Sequence, residues 1–173
     1  MKGVKKMKSV AVEIKNLKAR DVMRADVVFV SSDMAVAELA DLLQTHNITG
    51  VPVVNSKGKV IGVVSETDIV AADALKESEE KETPHYFRSG WEEGQMGSEA
   101  IDYEKMSFPL ERSVEDIMTP WVISVEEDTP VVQIAQKMLA DRVHRVLVMD
   151  SKGHLKGIVS SMDIIHLVAE EGK

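Results

Sequence analysis

Gly62-Val63-Val64-Ser65-Glu66-Thr67-Asp68 recurs 95 residues later as Gly157-Ile158-Val159-Ser160-Ser161-Met162-Asp163. The same offset holds without a gap over residues 21–69 and 116–164, where 17 of 49 positions are identical. Unrelated segments do not keep one register over such a length, so the chain contains two copies of one unit.

Each copy opens with an acidic-apolar-Met segment, Asp21-Val22-Met23 or Asp116-Ile117-Met118. A β-prone run follows, which in the first copy is formed by Val27, Val28 and Val30. A helix comes next. We expect Ser32 or Asp33 to cap it in the first copy; in the second, Thr129 takes the cap position and Pro130 the first turn.

Helical spacing predicts that one face of this helix is buried in each copy, through Val36, Leu39, Ala40 and Leu43 and through Val131, Ile134, Ala135 and Met138. The apolar runs 51–54 and 146–149 predict strands covered on both faces. Glycine-containing turns at 55–58 and 150–153 lead into return strands. A second helix then starts near Asp68 or Asp163. Each copy is therefore predicted as βαββα, an α/β (α+β) fold whose two repeats pack about a pseudo-twofold axis.

The composition narrows the function classes. The 173 residues contain no cysteine, which excludes disulfides and thiolate chemistry. No apolar run is long enough for a membrane span, so we expect a soluble, cytoplasmic protein without a membrane partner. The basic start, residues 1–20, lacks aromatic residues, which disfavours nucleic-acid binding and suggests a solvated terminal segment. The scattered histidines do not predict a metal site.

These motifs, in this order and duplicated, resemble the cystathionine-β-synthase (CBS) domain family. The resemblance rests on Asp-apolar-Met, Val51-Pro52-Val53-Val54, the glycine turn, the Gly-x-x-Ser-x-x-Asp junction and His144-Arg145. It covers about 100 of the 173 residues. It implies a domain pair called a Bateman module, which commonly dimerises into a flat disk and binds AMP, ADP, ATP or S-adenosylmethionine in clefts between its repeats. The predicted segments are a basic start (1–17), repeat 1 (18–75), an acidic connector (76–112) and repeat 2 (113–173).

By that resemblance, each cleft joins the junction of one copy to the opening strand of the other. The main cleft, cleft A, would use Val63, Ser65, Thr67, Asp68, Met118, Val122, Ile123, His144 and Arg145. The second, cleft B, would use Met23, Val27, Val28, Thr49, Gly50, Ile158, Ser160, Met162 and Asp163. Asp68 or Asp163 would accept hydrogen bonds from a ribose diol. Backbone groups at Val28 and Ile123 would contact the adenine edge.

The two clefts differ in their polar groups. Cleft A has Thr67 and Arg145, and Arg gives bidentate recognition of phosphate. Cleft B has Met162 and Thr49-Gly50 at the matching positions. Losing a charge-assisted hydrogen bond costs roughly 1.5–3 kcal/mol, so cleft B is predicted to bind weakly, to stay empty or to take a less phosphorylated ligand. Without the repeat, the Ser, Thr and Asp residues at each junction are better explained as plain helix caps, and it is the family pattern that favours ligand binding.

The connector holds five of the seven aromatic residues of the chain, namely Tyr86, Phe87, Trp91, Tyr103 and Phe108. We expect partial order there, with the aromatic rings packed on the module or its dimer mate. A lid over a cleft is one alternative.

Three functions are weighed. The first is a non-catalytic energy or metabolite sensor, which acts through homodimer rearrangement or an effector protein. The second is a structural module with degenerate clefts. The third, an enzyme, lacks support because no nucleophile–base pair or phosphate-binding loop of the Walker type is present.

Overall fold

The computed structural model describes residues 14, 16–73, 85–88 and 112–170. In chain order the elements are α1 (Ala19–Val22), β1 (Val30–Ser31), α2 (Val36–His46), β2 (Gly50–Val54), β3 (Val60–Ser65), α3 (Glu66–Asp73), α4 (His85–Arg88), α5 (Val114–Ile117), β4 (Ser124–Glu126), α6 (Val131–Asp141), β5 (Arg145–Met149), β6 (Leu155–Ser160) and α7 (Ser161–Glu170).

The chain divides into two compact units. Unit one comprises Val28–Val122, and unit two comprises Met1–Val27 together with Ile123–Lys173. Each unit has a three-stranded sheet, ordered β1-β2-β3 or β4-β5-β6. The first pair of strands is parallel and the second is antiparallel in both sheets. The predicted βαββα order of each copy is confirmed.

Each unit takes its short opening helix from the other copy of the repeat. In unit two, the Ala19 amide donates to the Thr129 carbonyl at 2.8 Å and the Val131 amide donates to the Leu17 carbonyl at 2.9 Å. In unit one, the Val114 amide donates to the Met34 carbonyl at 2.9 Å. The backbone of each Asp-apolar-Met segment is thus fixed by the sheet-bearing part of the opposite copy.

The core of unit one lies between α2 and its sheet. All five residues of β2 are buried, as expected for a strand covered on both faces. The four predicted positions of α2, Val36, Leu39, Ala40 and Leu43, are buried against them. In unit two, α6 buries three of its four predicted positions, and Ala135 is half-buried. The predicted helix faces are therefore confirmed, apart from the partial exposure of Ala135.

The hairpin turns follow the prediction. Gly58 has φ 72° and Gly153 has φ 86°, a region that residues with a Cβ rarely occupy. Ser65 and Ser160 end the return strands as expected. The second helices begin at Glu66 and Ser161, slightly before the predicted starts near Asp68 and Asp163.

The predicted helix caps are wrong in both copies. The N-cap residues are Ala35 and Pro130, and neither gives a side-chain capping bond. Asp33 instead accepts a short hydrogen bond from the Ser31 hydroxyl, while the Thr129 hydroxyl accepts one from the Glu126 amide at 3.1 Å. These polar side chains form local turns before the helix, and such turns compete with capping.

Two other expectations need correction. Val27 and Val28 lie before β1, because only Val30 and Ser31 pair with β2. Lys18 and Arg20 are not simply solvated, since both form ion pairs with Asp128, at 2.7 and 2.9 Å. Residues 1–13 lie outside the described residues.

The connector is partly described, and there its aromatic residues pack as predicted. Tyr86 and Phe87, on α4, are 3% and 0% exposed, with their rings edge to face at 5.0 Å. The Tyr86 ring lies where a Cβ on Gly50 would approach it to 2.9 Å. Trp91, Tyr103 and Phe108 lie outside the described residues.

This contact predicts that Gly50→Ala destabilises the protein. The added Cβ would come within 2.8 Å of the Val64 carbonyl oxygen and within 2.9 Å of the Tyr86 ring. The carbonyl oxygen belongs to the backbone, so moving it would disturb the strand. Overpacking of this kind costs about 1–3 kcal/mol, which urea unfolding would measure. Thr49→Ala is the matched control, because the neighbouring Thr49 is exposed. Equal stability of the two variants would contradict this account of Gly50.

The turn at Asp150 predicts a pH-dependent contribution to stability. Its carboxylate accepts from the His154 and Lys152 amides, both at 2.9 Å, and these bonds together with the His154 ring lower its pKa well below the usual 3.8. Because the folded protein binds this proton more weakly than the unfolded chain, the contribution is complete above about pH 4–5 and is lost as the pH falls further.

Asp150→Asn tests this, since Asn55 holds the equivalent turn of the first copy through bonds from the Lys57 and Lys59 amides at 3.0 and 3.1 Å. We expect the variant to be less stable than wild type at pH 7 in urea unfolding, with a difference that shrinks as the pH falls below about 4. A difference that is constant from pH 7 to pH 3 would contradict the assignment.

Candidate functional site

The first junction lies where β3 ends and α3 begins. The Asp68 carboxylate oxygen Oδ2 accepts from both the backbone amide and the hydroxyl of Ser65, each at 2.7 Å. Ser65 is a polar residue, yet it is as fully buried as the apolar residues of the core. This contact fixes the Asp68 carboxyl group at the first turn of α3. Ser65 and Asp68 therefore do form a helix cap.

The second junction repeats the same bonds. Asp163 Oδ2 accepts from the Ser160 amide at 2.7 Å and from the Ser160 hydroxyl at 2.5 Å. The Asp163 amide donates back to the Ser160 hydroxyl oxygen at 3.3 Å. In each junction the serine thus holds the Oδ2 atom of the aspartate, in the same position relative to the strand and the helix.

An Asp-apolar-Met segment lies beside the strand of each junction. In unit one the backbones of Thr119 and Val63 exchange hydrogen bonds of 2.9 and 3.0 Å. A Cβ on Gly62 would come within 2.6 Å of the Thr119 carbonyl oxygen and 3.0 Å of the Met118 sulfur. Glycine is required here because the two backbones approach closely. Val63, Ser65, Asp68 and Met118 of the predicted set are therefore brought together within one unit.

Unit two shows the same approach. The backbones of Arg24 and Ile158 exchange hydrogen bonds of 2.9 and 3.0 Å, and a Cβ on Gly157 would meet the Arg24 carbonyl oxygen and the Met23 sulfur, both at 2.8 Å. Met23, Ile158, Ser160 and Asp163 of the predicted set are thus neighbours.

Arg24 is a site residue that the sequence analysis missed. Its Nε and Nη2 atoms each lie 3.2 Å from Asp163 Oδ1, and Nη2 makes a long contact of 3.5 Å to the Ser160 hydroxyl. The Arg24 side chain is 66% exposed, whereas that of Asp163 is 16% exposed. A signal was available in the repeat, because the residue after Met is Arg24 in one copy and Thr119 in the other.

The strand-start residues lie beside the junction of their own copy. The Glu66 amide donates to the Thr49 carbonyl at 3.0 Å, and Gly50 pairs with Ser65. In unit two the Ser161 amide donates to the His144 carbonyl at 2.8 Å, and Arg145 pairs with Ser160. The combination of Asp68 with His144 and Arg145, and of Asp163 with Thr49 and Gly50, joins residues of different units and stays a prediction.

The other predicted residues vary in exposure. Val27, Val28 and Val122 are half-buried, whereas Thr67 is exposed at the start of α3 and Met162 is 42% exposed at the start of α7. Ile123 is buried, and its carbonyl accepts from the Leu147 amide at 3.0 Å as β5 begins to pair. One lone pair of the Ile123 carbonyl is therefore already used inside unit two.

Among residues 14, 16–73, 85–88 and 112–170, no group of three or more His, Asp or Glu side chains is placed to hold a metal ion. Within the same part of the chain, no helix has the length and apolar character needed to cross a bilayer.

The duplicated junction, the exchanged opening helices and the sheet order can now be compared with known proteins. The family model for the CBS domain matches twice, over residues 19–75 and 114–170. The chain belongs to the CBS domain family. Its two matched segments correspond to the two copies, so this chain carries a CBS pair.

Relatives of this pair occur in proteins of different kinds. The chain is 30% identical over 144 residues to the chloroplastic CBS domain-containing protein CBSX1 of Arabidopsis thaliana, covering 82% of this chain and 59% of that protein. It is 27% identical over 148 residues to inosine-5′-monophosphate dehydrogenase of Methanocaldococcus jannaschii, covering 86% of this chain and 23% of that enzyme. The CBS pair therefore spans less than two thirds of the length of these relatives.

Among solved structures, the CBS domain pair of protein MJ0100, in complex with 5′-methylthioadenosine and S-adenosyl-L-methionine, matches with a TM-score of 0.60 and 26% identity. The match covers 90% of this chain and 98% of that one.

Proposed function

We propose that this CBS pair is a non-catalytic regulatory module that binds adenosine-containing ligands and acts as an energy or metabolite sensor. The observation that carries the proposal is the duplicated junction, in which a serine holds the Oδ2 atom of Asp68 or Asp163 beside a glycine where two backbones approach closely. The similar pair of protein MJ0100 is bound to two ligands that both contain adenosine.

The chemistry of the junction suits a ribose. The serine fixes each carboxylate in a constant position at the first helical turn, and a carboxylate can accept the two O–H donors of a ribose diol. Backbone groups of the first helical turn lie beside the same carboxylate, and they favour negatively charged groups such as phosphate. AMP, ADP, ATP and S-adenosylmethionine are therefore the ligands to test.

The division of labour between the two junctions is also a proposal. Asp68 would serve the main site with Arg145 as the phosphate partner, and Asp163 would serve the second. The sensor would be a cytoplasmic homodimer that signals through its own rearrangement or through an effector protein. Exposed apolar residues on α7, Met162, Ile165 and Val168, recur every three positions and support contact with a second copy.

One observation favours the alternative of a structural module with a degenerate second site. The Tyr86 ring packs directly on Gly50, which is one of the predicted residues of cleft B. This aromatic packing explains why a residue without a side chain stands where the second copy has Arg145. A scaffold would keep such packing without any ligand.

Thermal shift with AMP, ADP, ATP and S-adenosylmethionine separates the sensor from the scaffold. A ligand at 100 times its dissociation constant stabilises the folded state by about 2.7 kcal/mol, a clear rise in Tm. We expect at least one of these ligands to stabilise the wild-type protein. Asp68→Ala should remove the larger part of the response and Asp163→Ala the smaller part.

The matched control is Asp116→Ala. Asp116 Oδ2 accepts from the Ser113 amide at 2.8 Å and from the Ser113 hydroxyl at 3.0 Å, so its loss removes the same kind of cap outside the predicted site. This variant should lose stability but keep the full ligand response. Absence of any thermal shift in the wild type would favour the scaffold. If all three variants responded to ligand as the wild type does, Asp68 and Asp163 would not belong to the binding site.

A further inference from the structure

We propose that Arg24 is a specificity-determining residue at the Asp163 junction, where it acts as an ion-pair latch that disfavours uncharged nucleosides and favours ligands carrying an anionic group. The inference rests on the proposed function, since it presumes that Asp163 serves an adenosine-containing ligand. It deepens that function by assigning the second junction a class of ligand.

Most acceptor positions of Asp163 are engaged by its own chain, through three hydrogen bonds and one ion-pair contact. A carboxylate offers about four lone-pair positions, two on each oxygen. Oδ2 accepts from the amide and hydroxyl of Ser160, at 2.7 and 2.5 Å. Oδ1 faces Nε and Nη2 of Arg24, both at 3.2 Å. A ribose diol brings two O–H donors, so it can bind Asp163 through both of them only if one of these donors leaves.

Arg24 is the donor that can leave. Ser160 is held in β6 and its bonds fix the start of α7, whereas the Arg24 side chain is 66% exposed. Exposed ion pairs contribute little to stability, so a competing anion can draw the guanidinium away at low cost. The Arg24 backbone would stay in place, because it is paired with Ile158 beside Gly157.

This arrangement gives the second junction a preference for charge. A phosphate group would form charge-assisted hydrogen bonds with the released guanidinium and so offset the loss of the ion pair. An uncharged nucleoside such as adenosine provides no such partner and must compete with Arg24 directly. The second junction therefore favours nucleotides over nucleosides, although Gly50 stands in the predicted cleft B where Arg145 stands in cleft A.

The two copies provide matched variants. At the equivalent position of unit one, the backbone of Thr119 pairs with Val63 beside Gly62 as that of Arg24 pairs with Ile158 beside Gly157. Arg24→Thr therefore gives the Asp163 junction the residue that the other copy already tolerates. Arg24→Lys keeps the positive charge but removes the planar pair of donors.

Isothermal titration with adenosine and with ATP tests the latch in the Asp68→Ala background, which isolates the Asp163 junction. Adding Arg24→Thr should raise the affinity for adenosine up to about fivefold, because a competing ion pair is lost. It should lower the affinity for ATP about tenfold or more, because a charge-assisted bond to phosphate is lost. Arg24→Lys should fall between Arg24→Thr and its parent for ATP.

The outcomes separate the latch from the proposed function. An unchanged ratio of the two affinities in Arg24→Thr, or a loss of affinity for both ligands alike, overturns the latch alone. If the wild type binds ligand but no protein in the Asp68→Ala background does, the Asp163 junction takes no ligand. That result also overturns the latch alone. Absence of binding by the wild type overturns the proposed function, and the latch falls with it.

Discussion

The hydrogen bonds from Ser65 to Asp68, and from Ser160 to Asp163, are the constraint on which the candidate site depends. Each places a carboxylate at the point where a sheet strand becomes a helix, and each holds that group by one oxygen at 2.5–2.7 Å. A side chain with this support loses little conformational entropy when it binds a ligand. The same bonds also cap the helices, so structure and proposed function rest on one pair of residues in each copy.

The two repeats have the same backbone arrangement at their junctions but different side chains there. In both units an Asp-apolar-Met segment approaches a strand closely at a glycine. The residue that follows Met, however, is charged in one unit and not in the other. The two copies share one scaffold, and differences at Arg24, Gly50 and Met162 give their junctions different side chains. Weak or strong binding therefore cannot be inferred from the strand-start residues alone.

Much of the fold could be predicted from periodicity, because the spacing of apolar residues, which both copies share, determines which helix faces and strands are buried. Leu39 and Ile134 were predicted to be buried, and both are. The caps were predicted wrongly because Asp33 and Thr129 found other partners close in sequence, a competition that propensity does not decide. The contact of Arg24 with Asp163 spans 139 residues, and that of Tyr86 with Gly50 joins the connector to a strand. Such pairs are set by tertiary packing, which spacing along the chain does not report.

We propose that the two capped carboxylates form the binding sites for adenosine-containing ligands. Equilibrium dialysis with radiolabelled ATP, comparing the wild type with the Asp68→Ala/Asp163→Ala double variant and with Asp116→Ala, tests it most directly. We expect saturable binding by the wild type and by Asp116→Ala, and none by the double variant at the same concentrations. Undiminished binding by a folded double variant would contradict it.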